Sequence, residues 1–388
     1  MMGEDKGSST ENILLVANYE SNVGFAWWLM ENFWVEISKR FEQRGCQTFL
    51  IFPRINDISQ RIRDSSIRIL QHDFDDGSRR GLMSLKTIVQ NNGIRHVYLT
   101  DKRGYDKRYW LLRRWGVKRI VNHGHYYTTG GGSGGNVLRR LVKFLVYRTG
   151  LVSCDYYIAV SEFLRDQMVG GWGVPPRKCS VILNGIEPIE CHPEDRYYAH
   201  EVFGIPNDGV IVVSTGRATF FKGIDSLIKC AKLLIEQGNA RLYFLHCGDG
   251  PDLAVFKGMV DAYGLGGRFI LAGKRTDVRK ILPSCHIGIQ MSRGEGFSLS
   301  LLEYLSAGLA TLATDVGGNR EAIMNGKTGI LFPLDDLDSV VKTIEELARN
   351  DRHREELGAA ARESVRVKFN IERTNREFIG LLEGILTA

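Results

Sequence analysis

Short apolar runs, each closed by a glycine or a polar turn and followed by residues with three-to-four apolar spacing, recur along the whole chain. The runs read as buried parallel strands and the spaced stretches as helices with one apolar face. In the first half, strands are expected at 13–17, 46–52, 95–100, 119–123, 156–160 and 179–183. In the second half they are expected near 210–215, 241–247, 268–272, 287–291, 310–314 and 328–332. With helices filling most of the gaps, each half is expected to be a doubly wound α/β domain. Pro188, Pro193 and the charged stretch Glu194 to Arg196 mark a linker, giving an N-terminal domain over 13–190 and a C-terminal domain over 191–369. Residues 1–12 read as a disordered tail, and 370–388 as one last helix.

One predicted helix carries an anomaly. In Glu295-Gly-Phe-Ser-Leu-Ser-Leu-Leu-Glu303 the second glutamate falls inside an apolar run (Leu299, Leu301, Leu302, Tyr304, Leu305) that reads as largely buried. A buried, unpaired carboxylate is costly, so Glu303 needs a partner that its neighbours in sequence do not supply. Glu295 lies just before the helix, whose start offers free backbone N–H groups from about Gly296 to Ser300, an anion site. At roughly 1.5 Å per residue the two carboxylates stand about 12 Å apart, close to the span of a diphosphate with a sugar at one end and a ribose at the other. A carboxylate accepts two hydroxyl donors at once, which suits sugars. The plainer alternative is a glutamate at a helix start and a core glutamate paired with an arginine.

Earlier in the chain, Val210-Ile-Val-Val-Ser-Thr-Gly216-Arg217 leads into Phe221-Lys222-Gly223 and a helical stretch from Ile224 to Gln237. Arg217 and Lys222 therefore lie beyond the carboxyl end of a parallel strand, where ligands of open α/β sheets bind. Two fixed cations there suit a diphosphate that gains negative charge as it leaves. The alternative is two surface cations in a loop.

Four segments, Gly216-Arg217…Lys222-Gly223, Gly248-Asp249-Gly250-Pro251, Glu295-Gly-Phe…Glu303-Tyr-Leu-Ser-Ala-Gly308 and Thr314-Asp-Val-Gly-Gly318…Glu321, together resemble the retaining glycosyltransferases of family 4 (group 1). The resemblance is dense from about 155 to 333 and looser from 13 to 154. It implies the GT-B fold, two Rossmann-like domains facing each other across a cleft, with the last helix, 370–388, crossing back onto the first domain. It further implies that Arg217 and Lys222 hold the donor diphosphate, Glu295 the hydroxyls of the transferred sugar and Glu303 the ribose. Backbone from Gly296 through Phe297 and Ser298 to Leu299 would meet the distal phosphate, with Gly216 and Gly248 lining the donor site. The base would rest near Gly273-Lys274-Arg275, which brings in Lys274.

In the N-terminal domain, relatives carry two adjacent glycines after the first strand, near the donor phosphates. Here Asn18-Tyr-Glu-Ser-Asn-Val-Gly24 supplies one, so the role passes to Gly24, with a plain turn glycine as the alternative. Relatives also place a histidine near the donor sugar. Of His123 and His125 the second is preferred, because it falls beyond the strand end. The glycine-rich Thr128–Gly135 segment lacks the Gly-Lys-Ser/Thr ending of a Walker loop and reads as an acceptor-side loop.

Composition fits a two-domain enzyme of 388 residues. Seven cysteines without a Cys-x-x-Cys pair suggest neither zinc nor a disulfide framework, and a reducing cytoplasm is expected. No apolar run approaches the ~18 residues of a membrane span. The net charge is +6, yet residues 102–148 hold twelve cations against the single acid Asp106, interleaved with aromatic and aliphatic positions. That window suits an anionic membrane at the inner face of the plasma membrane, or a phosphate-bearing lipid acceptor; a solvated face over an ordinary core is the alternative. Nucleic acid is not expected, since no binding module accompanies the charge.

Asp73-Phe-Asp75 matches the Asp-x-Asp that binds metal in another glycosyltransferase fold, but reads as a turn. No metal or other cofactor is expected, because Arg217 and Lys222 already supply positive charge. The expected activity is therefore retaining, metal-independent transfer of a sugar from a UDP- or GDP-linked donor to a glycan or lipid-linked acceptor, in cell-surface polysaccharide or lipopolysaccharide synthesis. A nucleotide-sugar 2-epimerase of the same fold and a non-catalytic binding protein are the alternatives. An NAD enzyme is disfavoured, since Gly-x-Gly-x-x-Gly is missing after the first strand.

Overall fold

A computed structural model describes residues 11–21, 27–125 and 145–387. The chain divides into two compact units, Met1–Ile182 with Asn375–Ala388, and Leu183–Thr374.

The first unit holds β1 (Asn12–Val16), β2 (Thr48–Phe52), β3 (Arg68–Gln71), β4 (Ile94–Thr100), β5 (Arg119–Gly124), β6 (Tyr156–Ala159) and β7 (Cys179–Val181). They form one sheet in the order β3-β2-β1-β4-β5-β6-β7, and every pair is parallel. Ile13 to Val16 are buried on both faces, as the contiguous apolar run requires. β3 has no counterpart among the expected strands. It is a short edge strand, Arg-Ile-Leu-Gln, only partly buried, and so lacks the apolar run that marks the others. Glu11 and Asn12 correct the expected tail over 1–12. The Asn12 side chain donates to Asn92 O (2.7 Å) and accepts from the Gln47 N–H (2.7 Å), while Glu11 pairs with Lys118 and His96.

The last helix, Ile371–Thr387, belongs to this unit from Asn375 onward. Phe378 is fully buried there, its ring 4.6 Å from Phe33, and Asn375 Oδ1 accepts from Asn32 Nδ2 at 2.6 Å. Glu383 pairs with Arg40 and Arg44.

The second unit holds β8 (Val210–Thr215), β9 (Leu242–Cys247), β10 (Phe269–Gly273), β11 (Ile287–Gln290), β12 (Ala310–Thr314) and β13 (Ile330–Phe332), in the order β10-β9-β8-β11-β12-β13, again all parallel. Its core packs β8, β9 and β11 against the helices Ile224–Glu236 and Leu337–Arg349. The unit begins earlier than the expected 190/191 boundary. Residues 183–186 are fastened to the segment before the last helix: Ile186 N–H donates to Phe369 O (2.8 Å), Ile371 N–H to Ile186 O (3.0 Å) and Thr374 Oγ1 to Leu183 O (3.1 Å). Pro193 and Glu194 to Arg196, read as linker, lie inside this unit as the 3-10 turn Pro193–Tyr197.

The second sheet reverses direction between β8 and β11. These strands are neighbours, but the chain leaves β8 toward β9 on one side and β11 toward β12 on the other. Loops at the carboxyl ends of such a pair diverge and leave a crevice where ligands bind.

Candidate active site

The loop after β8 carries Gly216, Arg217 and the 3-10 turn Phe220–Lys222, and Gly223 then opens the helix Ile224–Glu236. Gly223 has φ +73°, and a Cβ there would sit 1.9 Å from Met291 O. The turn is thus pressed onto the backbone leaving β11, which only glycine permits. Two further bonds stitch the loops together. Arg293 N–H donates to Phe221 O (2.8 Å), and the Arg293 guanidinium pairs with the buried Asp225 (2.9 Å). Lys222 is consequently held in register with the loop that carries Glu295.

That register brings Lys222 Nζ to 2.6 Å from Glu295 Oε1. Gln290, at the end of β11, donates through Nε2 to the same oxygen at 2.5 Å. The Glu295 carbonyl accepts from Gly318 N–H (3.1 Å), so the glycines after β12 hold its backbone.

Ser298 caps the helix Leu299–Ala307, its hydroxyl accepting from Leu301 N–H at 3.4 Å. The first helical N–H groups, at Leu299 and Ser300, have no intrahelical acceptor and bear the positive end of the helix dipole. The helix is moored to the end of β8: Tyr304 hydroxyl accepts the Thr215 N–H (2.5 Å), and Ser300 Oγ donates to Thr215 O (3.2 Å). Gly248, after β9, closes the other side. A Cβ there would fall 1.6 Å from Gly216 O, so the loops after β8 and β9 touch through backbone alone.

Glu303 lies one face deeper. It is 2% exposed, and its Oε2 has no hydrogen-bond partner among the described residues. Burial pushes its pKa up to about 8, opposed only by the field of Arg279. Arg279 itself donates to Glu187 O (3.1 Å) and Pro188 O (2.7 Å), so it is not the ion-pair partner that a core reading requires. The carboxyl group is thus kept dry, with one oxygen unused by the described residues.

Arg217 and Lys274 are exposed, Arg217 beyond β8 and Lys274 just beyond β10. Phe297 is turned inward, its ring 5.7 Å from Phe369 and its carbonyl accepting from Asn184 Nδ2 at 3.2 Å. Gly24 and the Thr128–Gly135 segment lie outside the described residues.

His125 belongs to the first unit, one residue past β5. Its N–H donates to Asp101 Oδ1 (2.5 Å), and its Nδ1 lies 3.6 Å from Asp101 Oδ2. Both ring nitrogens are buried, with no hydrogen-bond partner among the described residues. Asp101 has φ +52°, an uncommon conformation for a residue with a Cβ. His123 lies within β5, buried, with Nδ1 2.6 Å from the Tyr98 hydroxyl. Asp75 of the Asp-x-Asp segment is paired with Lys102 (2.7 Å) and Arg108 (3.0 Å).

Gln290, Arg293, Asp225 and Tyr304 are the site residues that sequence reasoning missed. Gln290 left one signal, a polar residue inside the apolar run Ile287-Gly-Ile-Gln-Met.

The family model described as Glycosyltransferase Family 4 matches residues 30–189, and that described as Glycosyl transferases group 1 matches residues 195–364. Among curated proteins, N-acetyl-alpha-D-glucosaminyl L-malate synthase of Bacillus anthracis is 23% identical over 236 residues, 61% of this chain and 60% of that protein. The chain spans 52% to 63% of the length of three such relatives. Among solved structures, a glycosyltransferase from Rickettsia africae superposes with a TM-score of 0.78 at 17% identity, covering 97% of this chain and 99% of that one. Anabaena Alr3699/HepE, in complex with UDP and glucose, gives a TM-score of 0.76 at 16% identity, with coverage of 96% and 100%. Both likenesses concern the fold, which is GT-B. With one model matched in each half, the chain belongs to the family 4, group 1 glycosyltransferases.

Proposed function

We propose that this protein is a retaining, metal-independent glycosyltransferase. It moves a sugar from a UDP- or GDP-linked donor to a glycan or lipid-linked acceptor, in cell-surface polysaccharide or lipopolysaccharide assembly. The observation that carries the reading is the convergence of Lys222, Glu295 and a helix N-terminus at the turning point of the second sheet. The complex of Anabaena HepE with UDP and glucose supports a nucleoside diphosphate sugar in this fold.

In this mechanism Lys222, Arg217 and the N–H groups at Phe297 to Leu299 stabilise the diphosphate as the bond to the anomeric carbon breaks. Glu295 accepts the sugar hydroxyls, and Glu303 the ribose hydroxyls. The acceptor oxygen attacks from the face the diphosphate leaves, and the departing phosphate oxygen takes its proton. The configuration is thereby kept without a covalent enzyme intermediate. The family resemblance alone assigns His125 a part in the reaction. Fixed cations take the place a metal would hold, so activity is expected to survive EDTA; loss restored by manganese would sink that claim.

The test is calorimetric binding of UDP and GDP, with NAD as control, to wild type and Glu303→Ala. One diphosphate should bind and be weakened about tenfold in the variant, the scale of losing one or two hydrogen bonds to a buried carboxyl group. Binding of NAD alone would overturn the reading.

Peripheral contact with an anionic membrane through 102–148 is part of the proposal. No helix among the described residues is long and apolar enough to cross a membrane. Lys102, Arg108 and Arg113 pair with Asp75, Asp106 and Asp155, which removes them from such a surface. Arg103, Lys107 and Arg114 are exposed, with Arg114 4.9 Å over the half-exposed Trp110 ring. Co-sedimentation with anionic vesicles should fall in Lys107→Glu/Arg114→Glu protein, and unchanged sedimentation would count against the contact.

A further inference from the structure

Gln290 makes a contact that the donor-site assignment does not use. It is 5% exposed at the end of β11, and its Nε2 donates to Glu295 Oε1 (2.5 Å) and to Ser292 Oγ (3.1 Å). Chemistry fixes the orientation of the amide: turned over, its carbonyl oxygen would face a carboxylate oxygen, acceptor against acceptor. The clamp is anchored in turn, because Ser292 O accepts from Thr314 Oγ1 at the end of β12 (2.6 Å).

Lys222 Nζ approaches the same Oε1 at 2.6 Å, so two donors converge on one oxygen, and no described residue donates to Oε2. Lys222 has a second claimant, however. If it serves the donor diphosphate, the ammonium is drawn toward a more highly charged anion. Glu295, itself buried, would then face the cost of a carboxylate without a donor. It would turn away. Gln290 is uncharged and sits on a strand, so an arriving phosphate does not attract it away.

We propose that Gln290 is the positioning residue that holds Glu295 in place while Lys222 turns to the diphosphate. It keeps Oε2 presented to the hydroxyls of the transferred sugar. The inference rests on the donor-site reading above and extends it to a residue outside the motifs. Its signature is selective: the contact matters for the sugar and not for the diphosphate, which never meets Glu295.

The experiment is calorimetry on the full chain with UDP, GDP, UDP-glucose, UDP-galactose, UDP-N-acetylglucosamine and GDP-mannose. Wild type is compared with Gln290→Met, Glu295→Ala and the double variant. Gln290→Met, similar in volume but without a donor, should leave the diphosphate Kd within about twofold and raise that of the sugar nucleotide about tenfold, one charged hydrogen bond's worth. The double variant should bind the sugar nucleotide no worse than Glu295→Ala, since both act through one group. Parallel weakening of diphosphate and sugar nucleotide would mean a purely structural role, and multiplying losses an independent one; either overturns the proposal. Gln290→Glu keeps the shape and sets a second carboxylate against Glu295, so it serves if the Met variant fails to fold; unchanged sugar-nucleotide binding there also overturns it. Wild type that binds none of the six nucleotides removes the donor site itself. Wild type that binds them while both Gln290 variants behave normally removes only the role of Gln290.

Discussion

Glu295 and Glu303 stand eight positions apart in the chain, on the same loop and helix, in opposite electrostatic surroundings. Glu295 has an ammonium at 2.6 Å and an amide donor at 2.5 Å. Glu303 has an unpartnered Oε2, and burial holds its pKa at about 8. The difference teaches what each is prepared for. Glu295 is oriented before any ligand arrives, which suits the proposed role of aligning a reacting sugar. Glu303 is buried with an oxygen that no described residue uses, and it escapes the cost of a buried charge by keeping its proton up to about pH 8, which suits the proposed pairing with a ligand hydroxyl.

The largest break in this comparison should come from Lys222→Ala. It leaves Glu303 untouched, and kcat is expected to fall about a thousandfold with the circular dichroism spectrum unchanged, the scale of losing a preorganised charge stabiliser. A rate near wild type would take Lys222 out of the mechanism. Gly223→Ala attacks the same side through the backbone. It adds a Cβ 1.9 Å from Met291 O at φ +73°, so thermal unfolding should show a loss of about 3 kcal/mol or more. Unchanged Tm would mean that the turn is not pressed onto β11 as described.

The smallest effect tests the Glu303 side through pH. Its carboxyl in the unfolded chain titrates near 4.5 and in the folded protein near 8. Between those values the folded state holds the extra proton, so stability falls as pH rises through the window and levels off above it. In Glu303→Gln that component disappears, and Tm at pH 8 should exceed that of wild type by a few degrees, with little difference at pH 4. Parallel pH curves would place Glu303 in a wetter or paired environment.

Much of the fold was legible because a parallel strand buried on both faces leaves a contiguous apolar run: β8, Val210–Thr215, was expected at 210–215 and β12, Ala310–Thr314, at 310–314. β3 left no such run, being an edge strand with charged and polar ends. The Glu295–Glu303 spacing was equally plain, since a charge in an apolar helix stands out. What sequence could not carry was register between loops distant in the chain. That Gln290 and Lys222 meet on one oxygen, or that Arg293 ties Asp225 to that loop, depends on neighbouring strands bringing their ends together. Pairing was hidden likewise in the basic window, where Arg113 reads as a surface cation yet donates to Ser153 O and Asp155.

The last helix has a consequence for the newborn chain. The first unit includes Asn375–Ala388, and Phe378 and Leu382 are among its buried side chains. The second unit runs without interruption from Leu183 to Thr374. During synthesis the ribosome therefore delivers every residue of the later unit before the earlier one can fill its own core. The part translated first is completed last, once Phe378 and Leu382 have left the ribosome to fill its core.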